Sequence, residues 1–391
     1  MSQNASARPS ALELNEVVPL IRADLPTLDE VSAEFKEILS SGRISNFGKY
    51  LTRLETSVSK YLDAETIAVS SGTMGLILSL QALGFGEGQK ALLPSFSFMA
   101  TGQAVLYAGG TPVFAECNED MTISVGDMVA LLEKDKAITM IIGVHTYGLP
   151  AQVNEIQKAV DEINRKQNRN IKIVYDAAHA FGASIDGRKL GSFGNAEVFS
   201  LSVTKTLVCV EGGFISSRDS AFIHKLKKMR NYGIESNYDA HYPGLNGKMS
   251  EFHAVVGYHN LQNIESILST RAKNASYYTK EVSTKTHFKP MVSPKNVVHT
   301  YKDYTIFVPE KLAGKRDKII DFLKDKGVET RAYFFPPIHE QKFFKRFATR
   351  VLPQTEKLSR MVITLPFFTT MTKAQMDRVV SVLVEAEEKI R

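Results

Sequence analysis

Seven short apolar runs set the limits on how this chain can fold. They are TIAVS at 66–70, KALLP at 90–94, TPVFAE at 111–116, ITMIIGV at 138–144, IKIVYD at 171–176, AEVFSL at 196–201 and GGFISS at 212–217, and they alternate with segments of helical periodicity. A short run without polar alternation suits a strand buried on both faces, and strands separated by helices return in the same direction. The expected fold is therefore α/β, with a mainly parallel seven-stranded sheet. After about residue 248 the pattern changes. KMSEFHAVVGYHNLQNIESILSTRAKNASYYTKEV reads as helix, YKDYTIFVP as a strand, and RDKIIDFLKDKG and KAQMDRVVSVLVEAEEKI as helices. That is a smaller α+β C-terminal unit. The expected division is an N-terminal segment and helix over 1–44, a large domain over 45–247 and a small domain over 248–391.

Within the first of these, LPTLDEVSAEFKEILSSG at 25–42 spaces Leu28, Val31, Phe35, Ile38 and Leu39 by three and four residues, which predicts an amphipathic helix ending at Gly42. At 391 residues, 43% hydrophobic and 23% charged, the chain has the composition of a globular protein with a sizeable core. No run approaches the roughly 18 apolar residues of a membrane span, and MSQNASARPSALELNE lacks the apolar stretch of a secretory signal, so a cytoplasmic location is expected. Two cysteines, Cys117 and Cys209, make no disulfide framework, and no Cys/His spacing suggests a metal site. The net charge of +6 is spread along the chain. The cluster KLKKMR at 225–230 reads as a solvated helix face, and no nucleic-acid module accompanies it.

One residue breaks the apolar logic. In AEVFSLSVTKTLVCVEGG, Lys205 follows a buried strand directly. Its plain reading is a strand-end lysine with its stem on apolar surface and its ammonium in water. The other reading is an amine kept partly dry so that its pKa falls and it can attack a carbonyl.

Three features at the C-terminal ends of expected strands favour the second reading, because open α/β sheets bind ligands there. SSGTMG at 70–75 turns into a helix start, where free N–H groups and the helix dipole suit an anion, although such turns also cap ordinary helices. DAAHAFGA at 176–183 places Asp176 at a strand end, either as a helix cap or as an acid able to hold a proton on a heterocyclic nitrogen. Lys205 lies near Ser200 and Thr204 and is followed by EGG, whose glycines permit close backbone approach. A phosphate cradle, a carboxylate and an amine facing one crevice match the requirements of pyridoxal phosphate.

The order SSGTMGLILSLQALG, LLPSFSFMATGQAVLYAGGTPVFAE, VHTYGLPA, YDAAHAFGA, FSLSVTKTLVCVEGG, MRNYG and GLNGKMSEFHA resembles the DegT/DnrJ/EryC1/StrS family of nucleotide-sugar aminotransferases from about residue 15 to 385. The resemblance implies the pyridoxal phosphate-dependent transferase fold type I, like that of aspartate aminotransferase. It makes Lys205 the lysine that bonds the cofactor and shuttles protons, and Asp176 the acid on the ring nitrogen. By the same resemblance His179 lies beside the phenolic oxygen, Phe98 stacks on the ring, and Gly72, Thr73 and Ser200 cradle the phosphate. Asn246 matches a residue that reaches the neighbouring subunit's phosphate, so a homodimer is expected. His339 is a further candidate near the substrate. Ser202 and Val203 stand where His and Pro often precede the family's Thr-Lys pair.

The implied reaction is ping-pong. Glutamate leaves its nitrogen on the cofactor, giving pyridoxamine phosphate, and a keto sugar receives it. SSGRISNFGKYLTRLE resembles members that aminate C4 of nucleotide-linked 4-keto-6-deoxyhexoses for amino-sugar biosynthesis, such as that of lipopolysaccharide O-antigen. Members that act at C3, or on keto sugars without a nucleotide, share nearly all the motifs. A dehydratase subgroup carries histidine in place of the lysine, and a non-catalytic regulator on the same scaffold is the remaining alternative.

Overall fold

A computed structural model describes residues 17–390. Residues 1–16, on which the cytoplasmic expectation rests, lie outside them. The seven apolar runs form β1 (Glu65–Val69), β2 (Lys90–Pro94), β3 (Thr111–Ala115), β4 (Ile138–Val144), β5 (Lys172–Asp176), β6 (Ala196–Ser200) and β7 (Gly213–Ser217). They make one sheet in the order β1-β7-β6-β5-β4-β2-β3. The pairs β2–β3, β2–β4, β4–β5 and β5–β6 are parallel, whereas β7 runs antiparallel to both β1 and β6. Six strands therefore end along one edge, which is where the chemistry-bearing motifs begin. This is the expected fold type I arrangement.

Both faces of the sheet are buried, as continuous apolar runs require. On one face Leu92, Ile141, Ile173 and Tyr175 pack with residues of α1 (Leu28–Ser41), α2 (Lys49–Leu62), α5 (Val125–Lys134), α6 (Val153–Gln167) and α8 (Glu251–Gln262). On the other, Ala91, Leu93, Ile142 and Val174 meet α3 (Gly72–Ala82), α4 (Met99–Tyr107) and α7 (Ser220–Met229). A second core gathers α9 (Ile264–Lys285), α10 (Arg316–Asp325), α12 (Lys373–Lys389) and an antiparallel sheet of β8 (Lys289–Pro290), β9 (Tyr304–Phe307) and β10 (Val362–Leu365). Val18 joins this second core and its N–H donates to Gly327 O at 2.8 Å, so the N-terminal strand segment packs on the small unit. The boundary expected at 247/248 precedes α8, whose Ala254, Val255 and Leu261 pack with the large sheet.

α1 begins at Thr27 with a capping box to Glu30 and ends at Gly42 in the left-handed region, as its sequence signals direct. Its buried stripe is narrower than the periodicity suggests. Val31 and Ile38 are buried, whereas Leu28 and Leu39 are largely exposed, because they lie 60–80° around the helix from Val31 at about 100° per residue. The basic cluster on α7 is largely structural. Arg230 is buried against Glu55 and the Ala68 carbonyl, Lys225 donates to Ala82 O at the end of α3 (2.7 Å), and Lys228 pairs with Glu235. NRKQNRN is partly helix, since α6 runs to Gln167 and is closed by Asn168 at φ 50°.

A buried carboxylate ties α8 to α2. Gly48 caps α2 without a side chain, and Glu251, 1% exposed, accepts from the backbone N–H groups of Gly48 (3.0 Å), Tyr50 (2.8 Å) and Leu51 (3.4 Å). A Cβ at Gly48 would stand 2.7 Å from the Glu251 carboxyl carbon, so only glycine permits the approach. Glu251→Ala should lower the unfolding free energy by about 2–3 kcal/mol by orphaning these donors, read as a lower urea midpoint at unchanged slope. An unchanged midpoint would show that water replaces the carboxylate.

Candidate active site

The edge where β1, β4, β5 and β6 end opens into a cavity of about 420 Å³. Its wall contains Gly72, Thr73, Phe98, Asp176, His179, Ser200 and Lys205, seven of the eight residues expected for cofactor binding. Asn246 is exposed, outside the cavity and bridged to Asn231, on the segment whose Gly247 carbonyl accepts from Ser70 N–H at 2.8 Å. His339 is not in this wall. Its Nδ1 meets Ser95 Oγ at 2.6 Å and its Nε2 meets Glu356 Oε1 at 3.2 Å, so it anchors loops.

Local sequence explains each placement. Ser71 caps α3 by accepting from Met74 N–H at 3.1 Å, which leaves the N–H groups of Gly72 and Thr73 without intrahelical acceptors. A Cβ on Gly72 would lie 2.9 Å from Ser200 Cβ, so glycine lets the helix start sit against the end of β6 and form one polar cradle. Lys205 sits in the irregular segment between β6 and β7. That segment is closed by Leu201 N–H to Gly212 O (2.9 Å) and Cys209 N–H to Leu201 O (2.8 Å), and Asn260 holds the Val208 carbonyl at 2.7 Å. The lysine thus follows the strand rather than interrupting it.

Asp176 ends β5 and is buried. Its Oδ2 accepts from Thr101 Oγ1 at 2.7 Å, Thr101 accepts from Ser97 Oγ at 2.8 Å, and its Oδ1 accepts from Ala178 N–H at 3.1 Å. Burial raises the Asp176 carboxyl above its ordinary range, against the opposing pull of these donors and of Lys205 and His145. Burial lowers the Lys205 amine to about 7, helped by Lys302 and opposed by Asp303, Asp176 and Glu211. Among the described residues the Lys205 Nζ has no hydrogen-bond or ion-pair partner. His179 is held neutral, since burial depresses it well below its ordinary value, and its ring stacks on Phe334 at 6.0 Å between centroids.

Several residues in the wall or directly behind it carried no signal in the sequence. Thr101 and Ser97 are hydroxyls inside SFSFMAT, a segment that reads as apolar helix. His145 follows β4. Its Nδ1 accepts from Ala151 N–H (2.9 Å), so its Nε2–H faces Glu197 at 3.2 Å in full burial. Lys302 and Asp303 precede β9 and look like a surface charge couplet, yet both are buried. Tyr333, Phe334, Leu20 and Ile21 reach the cavity from segments distant in the chain.

This donor set fits pyridoxal phosphate. A buried carboxylate with a raised pKa gains from a protonated ring nitrogen beside it, a helix start opened by Gly72 accepts a phosphate, and an unpaired amine with its pKa near 7 is ready to bond an aldehyde. The sequence profile of the DegT/DnrJ/EryC1/StrS aminotransferase family matches residues 27–384. The chain belongs to that family. It is a pyridoxal phosphate-dependent aminotransferase.

Among its relatives, the UDP-N-acetyl-3-dehydro-alpha-D-glucosamine 3-aminotransferase of Acidithiobacillus ferrooxidans is 30% identical, over 94% of this chain and 98% of that protein. The dTDP-4-amino-4,6-dideoxy-D-glucose transaminase of Escherichia coli is 28% identical, over 95% and 99%. A crystal structure of DesI with its TDP-sugar product superposes with a TM-score of 0.88 at 27% identity, covering 96% of this chain and 94% of that one. A DegT/DnrJ/EryC1/StrS aminotransferase from Brucella abortus gives 0.84 at 25% identity, covering 92% and 96%.

The displaced pKa of the lysine has a consequence for stability. From 10.5 in the unfolded chain to about 7 in the folded one, the folded aminotransferase binds fewer protons at Lys205 between these values. The cost of burying the ammonium is therefore full below pH 7 and fades as pH rises towards 10.5. Cofactor-free Lys205→Met should be more stable than the parent by about 1–3 kcal/mol at pH 6, discounted for water reaching the cavity, and the difference should vanish near pH 10 in denaturant titrations. A pH-independent difference would contradict the buried-amine assignment.

Proposed function

We propose that this aminotransferase moves the amino group of glutamate onto a nucleotide-linked keto sugar, with a 4-keto-6-deoxyhexose as the preferred acceptor. The observation that carries the reading is the convergence of Lys205, Asp176 and the start of α3 on one cavity wall. Pyridoxal phosphate, when bound, supplies an electron sink that lets the C–H bond beside the transferred nitrogen ionise. Asp176 holds a proton at the ring nitrogen, and the Ser97–Thr101 hydroxyl chain orients its carboxylate. The N–H groups of Gly72 and Thr73, with the Ser200 hydroxyl, bind the phosphate. Phe98 would stack on the ring, and neutral His179 would lie at its phenolic oxygen. Lys205 Nζ takes the proton from the donor carbon and returns one to the sugar carbon.

The active form is proposed to be a cytoplasmic homodimer. The exposure of Asn246 and the 52% exposure of Phe98 support a dimer, since both are open to contact with a second subunit. Functionally the chain divides as an N-terminal segment over 1–44, a cofactor domain over 45–247 and a small domain over 248–391. A second reading, amination at C3, is favoured by the 30% identity to the UDP-sugar 3-aminotransferase.

The test is incubation of the loaded protein with glutamate and a panel of nucleotide-linked 3-keto and 4-keto sugars, read by mass spectrometry. Replacement of the keto oxygen by an amino group is expected, and Lys205→Ala should bind pyridoxamine phosphate yet lose turnover by at least about a thousandfold. Loss of oxygen without gain of nitrogen would instead identify a dehydratase, and normal turnover by Lys205→Ala would remove the lysine from the chemistry.

A further inference from the structure

The cavity holds a second lysine that the cofactor does not require. Lys302 lines the wall beside Tyr333 and Phe334, with its side chain 5% exposed. Its Nζ donates to Asp303 Oδ1 at 2.8 Å and stands 5.8 Å from the Tyr333 ring centroid. An ammonium carries three donors, and among the described residues this one has a single oxygen partner. The other Asp303 oxygen, Oδ2, is buried with no hydrogen bond among the described residues and lies 3.8 Å from His179 Nδ1, too far to bond. The pair is thus incompletely satisfied on both sides, and its lysine lines the space where substrates react. Burying an ion pair of this kind gives little stability by itself, which leaves its presence in a substrate cavity to be explained by what it binds.

The chemistry of the two half-reactions supplies the explanation. An amino-acid donor brings an α-carboxylate to the same place that a keto sugar later occupies with hydroxyls. A bare fixed cation would favour the donor and penalise the neutral sugar ring. A lysine already neutralised by an adjacent aspartate, with donors to spare, accommodates both. We propose that Lys302 is the carboxylate-binding residue for the amino donor, and that Asp303 balances its charge when the sugar is bound. This rests on the reading that one cavity serves an amino acid and a keto sugar in turn.

The experiment measures each half-reaction separately by stopped-flow absorbance on the holoenzyme, with glutamate for the first half and the active keto sugar for the second. It also titrates the unreactive dicarboxylate glutarate by calorimetry. Lys302→Gln should reduce kcat/KM for the amino-acid half by about 10- to 100-fold through KM and weaken glutarate to match, as for a lost charge-assisted hydrogen bond, and should reduce the sugar half at least tenfold less. Lys302→Arg should recover most of the loss. The double variant Lys302→Gln, Asp303→Asn removes both charges and should retain the donor defect, which separates it from the effect of an orphaned carboxylate. Equal losses in both halves, unchanged glutarate affinity, or a double variant with normal glutamate kinetics would overturn the assignment. Should the parent react with glutamate and with no keto sugar, the sugar reading fails, while the amino-acid half and glutarate still decide the role of Lys302.

Discussion

Everything in this molecule is arranged around the cost of keeping an amine and a carboxylate dry in the same cavity without letting them neutralise each other by contact. Among the described residues Lys205 has no hydrogen-bond or ion-pair partner, and the Asp176 oxygens accept from Thr101 and Ala178. Water would stabilise both charges, so burial shifts each toward its neutral form. The protein tolerates this because rigid elements on every side hold the two apart. Asp176 is fixed by β5 pairing with β4 and β6 at Val144 and Val198, and Lys205 by a loop whose ends are bonded to each other. A ligand with a basic ring nitrogen, an aldehyde and a phosphate relieves the strain on all three polar walls at once.

The large sheet was legible because both of its faces are buried. Each strand then needs an apolar run, and all seven runs agree with the observed strands to within one residue at each end. The antiparallel direction of β7 is invisible in composition and follows only from the short connection through Lys205. The lysine, Asp176 and the SSGT turn were legible because each departs from the apolar pattern at a strand end. Thr101, Lys302 and Asp303 were not. A threonine in an apolar helix and a Lys-Asp couplet before a strand are common in unrelated settings, and only the folded chain brings them to the cavity. The periodicity of α1 overstates its buried stripe, because Leu28 and Leu39 fit the spacing but sit at its rim.

The small unit contributes more than cover. Lys302 and the Tyr333–Phe334 pair belong to its segments, whereas the cofactor-facing groups come from the strand ends of the large sheet. Shared packing of Phe96 and Tyr147 with Val362 and Phe334 joins the two units next to the cavity. On the roles proposed above, cofactor chemistry and substrate choice rest on different parts of the chain.

With two lysines facing one cavity, the most direct test is to ask which of them bonds the cofactor. Borohydride reduction of the pyridoxal phosphate-loaded protein, followed by peptide mass mapping, fixes the cofactor to the lysine that holds it. The account predicts a single label on Lys205. A label on Lys302, or one scattered over surface lysines, would contradict it.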